Sequence, residues 1–327
     1  MSTRPRNLKI VMMGLGVLAL LVLSLDPQSF IAEGQGKIKY PTKPLRILIP
    51  SAAGGTNDQV ARMVLPLLGK HLGVSAAIEN VPGAGGMICY NKFSKERPDG
   101  YTLLSFNFIS PVVYELTQKT EYVTREYTPV AGWNVKNFVL GVNAEGWKDF
   151  SEFLNAAKQK KISMAVTGGA TDIQMYALED ALGVKFNMIR YESGSECSAA
   201  VAGKHVDAVL TFAFQLMPLI RAGKIRALAV FSSKPDPSLP GVQTIGGLGY
   251  STVPCLPATN GFAAPPKTPE EIVTVLQRAI KNMTDDPECG TVAQKLGVVV
   301  DFESPAEVAK MISEYYGIID KYKHVIK

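Results

Sequence analysis

Apolar positions along this chain switch between a short-run pattern and a helical one, and the switching predicts its elements. Leu45-Arg46-Ile47-Leu48-Ile49 is a brief apolar run closed by Pro50, which reads as a strand. From Asn57 onward Val60, Met63, Val64, Leu67 and Leu68 recur at helical spacing. Residues 76–81 read as a second strand and 82–86 as a Gly-rich loop. A helical stretch then leads to the turn signal Arg97-Pro98-Asp99-Gly100, followed by a third strand at 101–104. A second cycle opens at 138–142. It continues through helix 149–160, strand 162–166, helix 172–182, strand 186–190, helix 195–203, strand 206–211, helix 215–222 and strand 225–230. Residues 234–260 are rich in Pro, Gly, Ser and Thr and read as irregular connection. Helices are expected at 268–284, 288–296 and 304–323; Thr268-Pro269-Glu270-Glu271 opens the first with a capping Thr, an early Pro and acids in its first turn. Strand–loop–helix alternation of this kind predicts an α/β fold of parallel sheets covered by helices on both faces.

Two Gly-rich strand-to-helix loops, 50–58 and 166–174, fall at equivalent places in the two cycles. The correspondence predicts two similar lobes whose loops face each other at the C-terminal ends of the strands, where open α/β sheets bind ligands. In the first loop, Ser51, Ala52, Gly54, Gly55, Thr56, Asn57 and Asp58 surround a helix start, whose unpaired N–H groups favour a carboxylate. Asp58 can accept from a ligand hydroxyl or cap its own helix. The loop lacks both the G-x-G-x-x-G dinucleotide pattern and the Gly-Lys-Ser/Thr end of a P-loop. In the second loop, Thr167, Gly168, Gly169, Ala170, Thr171 and Asp172 repeat the logic: the threonine hydroxyls can donate to a carboxylate, and the Thr171/Asp172 pair also suits a helix N-cap. Asp207, near a strand start, is a further candidate contact that a capping role explains nearly as well.

Composition narrows the function. The chain has 327 residues, 46% of them hydrophobic, and a net charge of +5 with no run of five basic residues, so it has a globular composition without a nucleic-acid footprint. Arg4, Arg6 and Lys9 precede an apolar run over 10–25, the pattern of an export signal or an uncleaved N-terminal anchor. Residues 1–36 are therefore set apart, with cleavage expected near 32–36, and the body is expected to be extracytoplasmic. Cys89, Cys197, Cys255 and Cys289 are widely spaced and form no CxxC pair. They read as isolated thiols, with one disulfide open outside the cell, and no metal site is expected. No G-x-S-x-G elbow occurs, and neither Cys197/His205 nor a carboxylate pair drawn from Asp58, Asp172 and Asp207 makes a convincing catalytic set. No enzyme activity and no cofactor are expected.

The ordered set Pro41-x-x-Pro44, Pro50-x-x-x-Gly-Gly-x-x-Asp58, Glu79-Asn80-x-Pro82-Gly-Ala-Gly-Gly86 and Pro98-Asp99-Gly100-Tyr101-Thr102-Leu103 resembles the tricarboxylate-binding receptors, or Bug proteins, of tripartite tricarboxylate transporters. Tyr191, Val206-Asp207, the run from Ile220 to Val230, and Ala264-Pro265 followed by Thr268-Pro269 extend the resemblance over residues 40–327. It implies a two-lobed, type II-like periplasmic-binding-protein fold, each lobe a mostly parallel sheet flanked by helices, with the ligand in the interlobe cleft. It places residues 37–137 plus 258–327 in one lobe and 138–257 in the other. It implies a periplasmic receptor that closes on a small organic acid (a di- or tricarboxylate or related carboxylate) and delivers it to membrane transporter subunits; a monomer is expected. A sensor serving a signalling partner would have the same fold and site. The loops 51–58 and 167–174 are implied to grip one carboxylate through backbone N–H groups and water. The chain departs from the family pattern at Ser51, where an aromatic is usual. It departs again at Ala170, Thr171 and Gln174, which stand for Gly, Ser and His, and at Glu192-Ser193, which follow Tyr191 in place of Lys-Gly. Glu192 and Asp172 together would favour a ligand bearing a hydroxyl or amine.

Overall fold

A computed structural model describes residues 38–325 apart from Gly55 and Gly297. The predicted leader, 1–36, lies outside the described residues, as does the Gly55 site assignment and the side chain of Thr56. The body, Tyr40–Lys327, forms one compact unit.

Its elements follow the predicted alternation. Strand β1 (Leu45–Ile49) feeds helix α1 (Thr56–Leu72), which buries Val60, Val64, Leu67 and Leu68, one face at helical spacing. Then come β2 (Ala76–Asn80), α2 (Met87–Phe93), β3 (Thr102–Asn107), α3 (Ile109–Thr117) and β4 (Thr128–Lys136). The middle of the chain supplies β5 (Phe138–Asn143), α4 (Phe150–Gln159), β6 (Ser163–Val166), α5 (Ala170–Leu182), β7 (Asn187–Arg190), α6 (Gly194–Ala202), β8 (Ala208–Phe212), α7 (Ala213–Arg221) and β9 (Ile225–Phe231). The last part holds β10 (Ala258–Ala264), α8 (Glu270–Asp285), α9 (Pro287–Leu296), β11 (Val299–Glu303) and α10 (Pro305–Tyr322).

These strands form two sheets. One has six strands in the order β11-β4-β10-β3-β1-β2, and the other five in the order β7-β6-β8-β5-β9. The first draws on both ends of the chain and the second on the middle. Both are mixed, which differs from the mostly parallel sheets expected. The β1–β2, β1–β3, β6–β7 and β6–β8 pairs are parallel, whereas β10 runs antiparallel to β3 and β4, β11 to β4, and β5 to β8 and β9. The cause is the crossing between sheets. A single residue, Asn137, separates β4 from β5, so the chain leaves one sheet and enters the other almost without turning. Its carbonyl accepts from the Ala213 N–H at 3.0 Å and its amide donates to buried Asp236 at 3.0 Å, which fixes the crossing. The chain returns through 232–257, and β10 begins at Ala258, slightly inside the region read as irregular.

β10 is buried along its whole length between β3 and β4. An added Cβ at Gly261 would stand 2.3 Å from the Ala131 carbonyl and 2.4 Å from the Phe108 ring, so only glycine lets the three chains approach this closely. The four cysteines are free thiols, three buried and Cys255 partly so. Burial pushes the Cys197, Cys255 and Cys289 thiols up to about 11, which makes them poor nucleophiles. Among the described residues no helix is long and apolar enough to cross a membrane.

Candidate functional site

A cavity of about 490 Å³ is lined from both sheets. The six-stranded sheet contributes Asn107 at the end of β3, Ser110, Tyr114 and neighbours on α3, and Ala258 at the start of β10. The five-stranded sheet contributes Phe138, Phe212 and the loop 167–171. Its volume and its mixture of aromatic walls with a few polar groups are those of a small-molecule site. A larger groove, about 710 Å³, runs beside α1 and β2 along Leu65, Gly69, Val74 and Ile78, but among the described residues neither glycine-rich strand-to-helix loop lines it.

The loop 167–171 is built to leave donors free. Gly168 and Gly169 both take positive φ, 88° and 61°, which folds the chain back before α5 starts. Among the described residues the N–H groups of Gly168, Gly169 and Ala170 have no acceptor, the last because a helix cannot supply one to its first residue. The Thr167 and Thr171 hydroxyls lie 3.1 Å apart, so one proton of the pair is engaged and the other is available to a ligand. Thr171 is buried.

Asp172 anchors this loop from behind. Its carboxylate is fully buried, Oδ2 accepts from Arg190 at 2.8 Å, and Oδ1 has no partner among the described residues. A Cβ on Gly168 would sit 2.6 Å from that guanidinium, so the second loop glycine serves close approach as well as turn geometry. Gln174, also fully buried, donates to the Pro254 carbonyl at 2.7 Å and accepts from the Leu256 N–H at 2.9 Å, which seats Leu256 on the cavity wall. It thus positions the wall without lining it.

The first loop is placed differently. Ser51, Ala52, Gly54, Asn57 and Asp58 do not line the cavity. Asp58 is buried and its oxygens are engaged: Oδ2 accepts from Arg62 at 2.8 Å and from the Gly54 N–H at 2.9 Å, and Oδ1 from the Asn80 amide at 2.9 Å. The Arg62 bond, aided by Gly54 and Asn80, outweighs burial and holds its carboxyl down at about 2. Asp58 therefore closes its own loop. Ser51 gives its carbonyl to Asn80 at 3.0 Å, and its buried hydroxyl has no partner among the described residues. The loop 82–86 lies between this region and the cavity: a Cβ on Gly86 would meet the Pro50 side chain at 2.9 Å, and one on Gly85 the Tyr114 hydroxyl at 2.1 Å.

Tyr191 and Asp207 stand away from the cavity lining. The Tyr191 N–H donates to the Val166 carbonyl at 3.0 Å, and its half-buried side chain packs on the core of the five-stranded sheet. Asp207 accepts from the Ser163 N–H at 2.9 Å and hydroxyl at 2.7 Å, at the opposite end of β6 from the glycine loop. Burial works to raise its pKa, but the two Ser163 bonds prevail and leave it lowered. Glu192 is exposed and does not join Asp172 at the cavity. Sequence reading missed Asn107, Ser110, Tyr114, Phe138 and Phe212. Phe138 and Phe212 stack with centroids 4.4 Å apart at the ends of neighbouring antiparallel strands. Their positions at strand termini were the available signal.

Two mixed sheets flanked by helices, with a polar-and-aromatic cavity lined from both and glycine loops at strand ends, define a two-lobed solute-binding protein. The tripartite tricarboxylate transporter receptor family (TctC) matches residues 60–327, and the chain belongs to that family. It is 30% identical to the protein BugT of Bordetella pertussis, over 74% of this chain and 76% of BugT. Among solved structures, a TctC solute-binding protein from Polaromonas superposes with a TM-score of 0.79 at 25% identity, covering 86% of this chain and 99% of that one. MatC from Rhodopseudomonas palustris, solved with bound malate, superposes with a TM-score of 0.65 at 25% identity, covering 87% and 100%.

Proposed function

We propose that this protein is a periplasmic receptor that binds a small carboxylate-bearing metabolite in the 490 Å³ cavity and delivers it to a tripartite membrane transporter without chemical change. The observation that carries the reading is that Gly168, Gly169 and Ala170, whose N–H groups have no acceptor among the described residues, line one cavity wall together with Thr167 and Thr171. Such a cradle holds an anion by charge-assisted hydrogen bonds and needs no cation of its own. Malate in the related MatC supports the same ligand class here.

The lobes in this reading are 37–137 plus 258–327, and 138–257, with hinges at the Asn137 crossing and just before Ala258. Ligand that touches both lobes favours the closed arrangement by its extra affinity for it, and closure would carry the first loop toward the ligand. Residues 1–36 act as the export leader. A thermal-shift panel of carboxylic acids, amino acids and neutral sugars on the purified chain tests this. Carboxylates alone should raise the melting point, by about 2.7 kcal/mol of stability at a hundredfold excess over Kd, and Thr171→Val should weaken the effect. A response confined to sugars would refute it.

A further inference from the structure

Lys136 closes β4 beside the crossing and is 8% exposed. Among the described residues no carboxylate lies within 4.0 Å of its ammonium and no acceptor is in hydrogen-bond reach. Its Nζ lies over the ring of Phe212, 6.0 Å from the centroid. Lys136 stands just behind the cavity lining, but that ring lines it, as do Phe138, two residues further along the chain, and Ala258, directly opposite Lys136 in register. Burial alone pulls the amine down to about 8, which still leaves it mostly charged at neutral pH.

An unpaired ammonium at the end of a largely buried stem, with only slight access to solvent, is costly, and an apolar residue of similar length would fill the same space without that cost. Lysine here makes sense where an anion arrives from outside the chain. The surroundings agree. Asn134, Asn260 and Asn107 stand in one row across β4, β10 and β3, and Asn107 lines the cavity. The Asn260 amide donates to the Asn134 carbonyl oxygen at 3.2 Å, while Asn134 Nδ2 and Asn260 Oδ1 are buried without partners among the described residues. A polar strip with unused hydrogen-bonding capacity thus runs from the cavity to the lysine strand.

We propose that Lys136 is the second anchor of the site, taking the distal carboxylate of a dianionic ligand whose first carboxylate rests on the loop 167–171. The inference rests on the receptor reading and names its substrate class: dicarboxylates over monocarboxylates of the same length. Calorimetric titration of the full chain with succinate and with its half-amide, succinamate, tests it. Wild type should bind succinate at least about tenfold more tightly. In Lys136→Met the two affinities should converge, and in Lys136→Arg, which keeps the charge and guards against a variant that fails to fold, the preference should persist. Equal wild-type affinities, or a preference undiminished in Lys136→Met, would overturn the Lys136 anchor and leave the receptor reading intact. Failure of wild type to bind either acid would remove both.

Discussion

Single residues divide into those that hold the loops and those left free to act. Asp58, Asp172 and Gln174 were read from sequence as ligand contacts, yet each is buried and engaged with the chain itself. The sequence marks such residues because a polar group beside a glycine loop suits either use, and only the partner, Arg62, Arg190 or Leu256, decides between them. Glu303 illustrates the energetic side. Burial, with smaller contributions from Asp301 and Glu307 against the pull of Lys234, lifts its carboxyl to about 7. Because the folded pKa exceeds the ordinary value near 4.5, the native state holds its proton longer than the unfolded one. The cost of ionising it in place is absent below pH 4.5, grows as pH rises toward 7, and is full above that. Glu303→Gln should therefore stabilise the protein by about 2 kcal/mol at pH 8, after allowing for partial exposure, and by little at pH 4. Urea denaturation at the two pH values checks this; an equal effect at both would contradict it.

At the scale of elements, the βα cycles were legible, whereas β4, β10 and β11 of the six-stranded sheet were not. Helices α1, α5 and α8 and strands β1, β2, β6 and β9 fall within a few residues of expectation because each buries one face or is a short apolar run between turn signals. β4, Thr-Pro-Val-Ala-Gly-Trp-Asn-Val-Lys, and β10, Ala-Thr-Asn-Gly-Phe-Ala-Ala, carry polar residues and glycine inside a fully covered sheet, so they show neither alternation nor a continuous apolar run. Register shifts between them blur the pattern further. Their composition reflects close approach and the polar row of asparagines beside the cavity. Gly261→Ala should consequently destabilise by about 2–3 kcal/mol, since the new methyl meets backbone at Ala131 and an aromatic ring that has no room to move. A melting temperature within a degree of wild type would show that β10 can shift to accept it.

For the whole molecule, the two sheets meet at a crossing one residue long and share a cavity that neither could form alone. Each sheet has a core of its own on one side, while a third hydrophobic cluster runs through both, from Leu48 and Phe106 to Phe138 and Phe153. The family was legible in the ordered motifs, and among the described residues only the second of the two glycine loops reaches the cavity lining. In the proposed closing motion, the first loop's distance from that lining depends on how the lobes are set against each other, which no local motif encodes. The most direct test of the account is glycine- and alanine-selective 15N labelling with an amide NMR titration of malate. Binding in the cradle predicts saturable shifts of the Gly168, Gly169 and Ala170 resonances, with Gly73 and Gly223, at turns outside the cavity lining, unmoved. Malate binding that leaves the three loop amides unchanged would contradict it.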